Sequence, residues 1–210
     1  MNRIEITSYS ALLIIYAFFC YLMTEITMQY IPIDTDVAFL RIKQEYIIMK
    51  HYSAAFFTHV FTSIFVLIAG FTQFSRYIRT RHYWIHKYSG RLYVYVTLFL
   101  AAPSGLIIGI YANGGLPSRI AFCLLGILWF LFTLIAMLRL KQKQIIKHQQ
   151  WMLRSFALAM SAITLRAWKF IIVAIFQPPP MDVYRIVAWL GWVLNLVLVE
   201  IYIHSYFSNK

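Results

Sequence analysis

Acidic side chains are scarce in this chain: seven Asp and Glu in 210 residues, against 19 Lys and Arg. Cysteine is scarcer still. Cys20 and Cys123 each fall inside an apolar run, where a thiol packs as a small hydrophobe, so neither a disulfide framework nor a thiolate metal site is expected. Ser/His/Asp triads and Gly-rich phosphate loops are missing as well. Charge as a whole is low: 12% of residues are charged and 61% hydrophobic, far from the composition of a soluble domain. Such a chain belongs in lipid.

What is present in quantity is long apolar sequence. About 20 mainly apolar residues carry a helix across a hydrocarbon core roughly 30 Å thick. Six stretches approach that length, near 9–28, 53–74, 92–111, 120–138, 152–176 and 183–207. Their continuity favours helices over barrel strands, which alternate in shorter segments. The reading is an all-α integral membrane protein, a six-transmembrane-helix bundle forming one domain over 1–210. The first run lacks a small-x-small cleavage pattern at Tyr21-Leu22-Met23-Thr24-Glu25, which predicts an uncleaved anchor.

The net charge of +12 marks orientation, not nucleic acid. Arg76, Arg79, Arg81, Lys87 and Arg91 surround the second-to-third connection; Arg139, Lys141, Lys143, Lys147 and Arg154 surround the fourth-to-fifth. With Arg3 and Lys210 they face the lone acid Glu5. On the other side Arg41, Lys43, Lys50, Arg119 and Arg185 balance Glu25, Asp34, Asp36, Glu45 and Asp182. The positive-inside rule then places both termini and both basic loops in the cytoplasm. Between the first two runs, the segment 34–50 spaces Phe39, Ile42, Tyr46 and Met49 as an amphipathic helix. It either lies in the outer interface or packs as a lid on the outer helix ends.

Polar side chains inside the bilayer are costly and mark function or interhelical bonding. His59 and Gln73, 14 residues apart, return to nearly one face of the second run. His148 and Arg166 are five turns apart on the fifth, with Ser155, Ala159 and Ala162 near the same stripe. Glu200 and His204 are one turn apart on the sixth, and Asn195 points elsewhere. By depth, Gln73, His86, His148, Glu200 and His204 gather on the inner side, whereas His59 and Arg166 lie toward the outside. These polar groups line a candidate pocket of Gln73, Arg166, Asn195 and Glu200.

Two histidines, His86 and His148, open helices at similar depth, and two neutral imidazoles on different helices can supply both axial positions of a b-type haem. Arg91 and Arg154 are candidate propionate partners, with His59 a candidate on the outer side. A divalent metal on His86, His148, Glu200 and His204 is the second sharp reading, weakened by the surrounding positive charge; His82 and His86 also form an i, i+4 pair. Against both stands interfacial anchoring and interhelical hydrogen bonding. For Arg166 that means pairing with a backbone carbonyl or Asn195, or snorkelling to the outer headgroups. Pro103 with Gly105 and Gly109 predicts a kink or a close helix approach in the third run. A transporter or ligand-binding protein, and an accessory protein with no chemistry of its own, remain as alternatives to a redox carrier. A redox or membrane partner protein is compatible with the first.

The residues also carry a resemblance. His59, Gly70-Phe71-Thr72-Gln73-Phe74, Arg79-x-Arg81, His86-x-x-x-Gly90-Arg91-x-Tyr93, Gly114-Gly115, His148-x-x-Trp151-Met152-x-Arg154-Ser155, Arg166 and Glu200 resemble the family called domain of unknown function 2306 (DUF2306), from about Phe39 to Glu200. Phe71 stands where such proteins often have proline, and Lys87 where arginine usually follows the histidine. The resemblance implies a bacterial-type multi-pass membrane protein, with the bacterial inner membrane the expected location, and brings no activity with it.

Overall fold

The computed structural model describes residues 3–207; Lys210, one of the residues in the charge argument, lies outside them. The elements, in chain order, are α1 (Arg3–Met28), a 3-10 turn (Ala38–Ile42), α2 (Gln44–Ile47), α3 (Lys50–Gln73), α4 (Arg76–Arg81) and α5 (Tyr83–Val96). A π-helical turn (Thr97–Ala101) joins α5 to α6 (Ala102–Ile110), followed by α7 (Leu116–Lys141), α8 (Ile145–Ala159), α9 (Ser161–Phe176) and α10 (Pro180–Phe207). Among the described residues there is no strand.

Four helical stretches are long and apolar enough to cross a membrane: Lys50–Gly70, Tyr83–Ile110, Leu116–Lys141 and Pro180–Phe207. The pair α8–α9, bent by 41°, makes a fifth, while Leu13–Met28 is a shorter apolar helix. The six runs expected from sequence thus become four or five spans by length and composition. Two boundaries also move. The third span begins at Tyr83, nine residues before the expected 92, because the aromatic and basic residues there continue the helix. The fifth begins at Ile145 and breaks at Met160.

Short connections make sequential spans antiparallel. The α3–α5 and α7–α8 connections therefore share one end of the bundle, here called the basic end. The residues between α1 and α3, the α6–α7 turn and the α9–α10 turn share the other, the lid end. Between them lies a core drawn from five spans, including Val66, Ala69, Tyr93, Ala101, Trp129, Met152, Leu158 and Trp192. Outside it, α1 packs through Met23 on Ile64, Leu67 and Ile163, and Tyr16 Oη donates to Leu67 O at 2.6 Å.

At the lid end the expected amphipathic helix is replaced by the 3-10 turn and the single turn of α2. Ile42 and Met49, assigned to its apolar face, are exposed, while Leu40, Lys43 and Ile47 are buried. The reason is local. The turn tightens to three residues per revolution, so the buried positions shift relative to a 3.6-residue wheel. The segment closes as a lid, with Tyr30, Leu40, Ile47, Tyr52 and Phe56 forming one apolar cluster against Ile108 and Tyr111. Lys43 Nζ donates to Tyr111 O and sits 5.0 Å from the centre of the Tyr46 ring.

Two irregularities interrupt the spans, and each is answered by a side chain. Pro103 has no N–H to offer the preceding turn, and the π-helical turn lies just before it. Ser104 Oγ donates to Leu100 O at 2.5 Å, and His59 Nδ1 approaches Ala101 O at 2.8 Å. At the α8–α9 break, Asn195 Nδ2 of α10 donates to Ala157 O on one side and Thr164 Oγ1 on the other, both at 3.0 Å. With no water in the hydrocarbon, such groups supply the polar partners that an interrupted backbone ladder requires.

Candidate functional site

The middle of the bundle holds a closed ring of hydrogen bonds whose direction can be derived. Thr133 Oγ1 donates to Trp129 O at 2.8 Å, so in its 2.7 Å contact with Ser155 Oγ it accepts. Ser155, having donated there, accepts from Tyr93 Oη at 2.8 Å. Tyr93 Oη in turn lies 3.4 Å from Trp129 Nε1, which only donates. The ring runs from Trp129 N–H through Tyr93, Ser155 and Thr133 back to Trp129 C=O, so each hydroxyl gives one bond and takes one. It ties α5, α7 and α8, and Tyr93, Thr133 and Ser155 are fully buried.

That ring also sets the register of α5 against α8. Both helices run from the basic end toward the lid end. Seven residues before Tyr93 stands His86; seven before Ser155 stands His148. Each histidine is the fourth residue of its helix, roughly 10 Å along the axis from the Tyr93–Ser155 bond. By this residue count both histidines lie in one layer, two turns to the basic side of that bond, and His86 lies within electrostatic reach of His148 and Arg79.

The ring atoms of these histidines differ in state. His148 Nδ1 is 2.8 Å from Ala136 O. A carbonyl only accepts, so Nδ1 carries the proton and the neutral ring keeps its lone pair on Nε2, the tautomer control typical of ligating histidines. His59 is held the same way by Ala101 O, its ring 3.0 Å from where a Cβ on Gly105 would stand, but in the lid half. His86 Nδ1 is buried and has no hydrogen-bond partner. Its backbone carbonyl accepts from Gln73 Nε2 at 3.2 Å, and the same amide donates to Ser89 Oγ at 2.6 Å. A Cβ on Gly90 would come 2.8 Å from Gln73 Oε1, so glycine leaves room for that amide.

The remaining candidates do not join this layer as a ligand set. Glu200 is held by Arg154, Nε to Oε1 at 2.5 Å and Nη2 to Oε2 at 2.8 Å, and Arg154 also lies 4.7 Å over the Trp151 ring. His204 is exposed. Among the described residues no three His, Cys, Asp or Glu side chains come together to hold a metal ion, so the quartet His86, His148, Glu200 and His204 is not assembled. Arg154, committed to Glu200, is a poor propionate partner; Arg91 is exposed beside the Tyr88 ring at 5.9 Å. His82 lies between α4 and α5, its ring 5.4 Å from that of Tyr77.

The stripe expected from His148 to Arg166 is interrupted by the bend at Met160. Arg166 Nη1 donates to Ala162 O at 2.6 Å, not to Asn195, which serves the break. The expected pocket of Gln73, Arg166, Asn195 and Glu200 is therefore four separate sites. Sequence reasoning missed the ring of Trp129, Tyr93, Ser155 and Thr133. The matched seven-residue spacings His86–Tyr93 and His148–Ser155 carried its signal.

Searches of the curated proteins and of the solved structures each find no match to this chain. The profile of a family described as "Predicted membrane protein (DUF2306)" matches residues 56–203, from the first turns of α3 to the last of α10. The matched stretch contains the hydrogen-bonded ring, both α-helical histidine starts and the Arg154–Glu200 pair, and the chain belongs to the DUF2306 family of membrane proteins.

Proposed function

We propose that this protein is a membrane redox protein that holds a b-type haem between His86 on α5 and His148 on α8. The observation that carries the reading is their shared layer. The Tyr93–Ser155 bond aligns the two helices, one imidazole keeps a lone pair on Nε2, and the other buries a nitrogen with no partner. These are the donor atoms a bis-imidazole site needs, and their chemistry fits the group. A haem so held supplies one-electron transfer. The chain's own part is to fix ring orientation through Ala136 O and the Gln73 amide, exclude water, and surround the site with Arg79, Lys87 and Arg91. By the positive-inside rule this basic end faces the cytoplasm, with α1 as a sixth crossing.

The test is a haemin titration of the purified full chain in detergent, followed by the Soret band and by quenching of tryptophan fluorescence. Saturable binding is expected in wild type, with loss in His86→Ala and His148→Ala while both variants stay folded by circular dichroism. One observation favours a second reading, a scaffold without a cofactor. His148, Arg154 and Ser155 each already bond another helix. Haem-free protein whose His148→Ala variant only melts earlier supports that reading instead.

A further inference from the structure

We infer that a membrane quinone binds in the lid half of the bundle, with its ring between His59 of α3 and Arg166 of α9 and its apolar tail in the groove along α9. The site begins where apolar packing between these two helices gives way to polar groups. Near the α8–α9 bend Ile163 shares an apolar cluster with Ile64 and Leu67 of α3. The helices are antiparallel, so about one turn nearer the lid His59 and Arg166 stand where that apolar contact would continue. His59 is nine residues from the lid-end start of α3 and Arg166 ten from the lid-end finish of α9. Both Cα atoms therefore lie roughly 14–15 Å in, near the middle of a hydrocarbon core about 30 Å thick.

Four side chains from four parts of the chain gather there. Arg166 lies within electrostatic reach of His59, of Tyr30 just after α1, and of Tyr184 in the second turn of α10. Their hydrogen-bonding capacity is only partly used. His59 Nδ1 donates to Ala101 O, which leaves a lone pair on Nε2. Tyr30 Oη accepts from Phe39 N–H and Tyr184 Oη from the backbone of Asn113, so each hydroxyl keeps its proton to give. Arg166 spends Nη1 on Ala162 O, and no acid pairs with it: among the described residues the ion pairs are Arg154–Glu200 and Arg185–Asp182. The set offers several donors and one acceptor. Quinone carbonyls accept from the donors, and a hydroxyl of the reduced form donates to His59 Nε2.

Access selects the same ligand. Toward water, Tyr30, Leu40, Tyr52 and Phe56 close the lid in one buried apolar cluster. Sideways, Arg166 opens with Lys169, Phe170, Val173 and Ala174 onto a groove of about 350 Å³. A charged lipid headgroup stays at the bilayer surface, because charge is costly in hydrocarbon. A quinone ring carries no charge, so it reaches this depth and enters from lipid with its tail along the groove. The site lies in the opposite half from the His86–His148 layer and does not require haem there.

Titration of the purified full chain in a neutral detergent with ubiquinone-1 tests this, read by quenching of tryptophan fluorescence. Hexamethylbenzene, a similar ring without the oxygens, and oleate, a tailed anion, serve as separate probes. Saturable binding of one ubiquinone-1 is expected, with a wild-type melting temperature that rises with ubiquinone-1 but not with the other two. Affinity should fall about tenfold in Arg166→Gln and in Tyr184→Phe, the size of one lost hydrogen bond in an apolar site, and stay unchanged in the loop variant Lys141→Gln. In His59→Phe the loss should be larger for ubiquinol-1 than for ubiquinone-1, a difference that a merely structural histidine would not produce. The rise in wild-type melting temperature needs no variant, so it decides even where a variant folds poorly. Equal binding of hexamethylbenzene, binding of oleate alone, or undiminished ubiquinone-1 affinity in both Arg166→Gln and Tyr184→Phe overturns the proposal.

Discussion

Ser155 holds two hydroxyls in place at once, accepting from Tyr93 and donating to Thr133. Ser155→Ala leaves the Tyr93 proton without an acceptor and removes the bond that Thr133 receives. Interhelical bonds in membranes average about 0.6 kcal/mol, and a stranded buried hydroxyl adds to that, so a loss of about 1–2 kcal/mol is expected. Reversible unfolding in mixed detergent checks it, and Ser155→Thr is expected to recover part of the loss. Residue types and spacing made His148, Arg154, Ser155 and Glu200 visible in the sequence. Their partners were not visible, because helical phase gives the direction of a side chain but not what the neighbouring helix presents to it. Glu200 illustrates this. One turn from His204, it turns instead to Arg154, where two charge-assisted bonds outweigh a contact with an exposed imidazole.

Elements were legible where apolar length decides them and obscure where backbone irregularity does. The α8–α9 bend contains neither proline nor glycine at Met160. It depends on Asn195, 35 positions later in the chain, reaching across the break. Asn195→Leu removes that bridge. The variant is expected to lose about 1 kcal/mol of stability and to straighten the pair, read as a lengthened distance between spin labels near the two ends of α8–α9. The lid was legible as a surface segment, but its buried residues were not, since a cation at its centre contradicts the apolar pattern. Lys43 is 2% exposed, and its amine is pushed down to about 8, first by burial and then by Arg119. The unfolded chain then binds more protons than the folded one between pH 8 and 10.5, so stability rises with pH across that window. The difference in melting temperature between wild type and Lys43→Met, measured at pH 7 and at pH 10, is expected to move in favour of wild type at the higher pH.

At the scale of the molecule, composition settled membrane residence and helical class, and the four to five spans found by length agree with that. Orientation rests on where the basic loops lie, which the fold gathers at one end. The family match begins at Phe56 and ends at Ile203, leaving α1 and the lid outside it. The matched stretch is thus the part of the bundle in which α8 is tied to α5, α7 and α10, and it holds His86 and His148, each seven residues before a partner in the Tyr93–Ser155 bond. The proposed redox role requires haem in the layer of those histidines. It is tested most directly by the reduced-minus-oxidised absorption spectrum of membranes from haem-replete cells expressing wild type, His59→Ala, His86→Ala and His148→Ala at matched levels. The proposed haem site predicts a b-type difference spectrum in wild type that persists in His59→Ala and disappears in His86→Ala and His148→Ala. No b-type signal above that of cells lacking the protein, or a signal that survives both inner-layer substitutions, contradicts it.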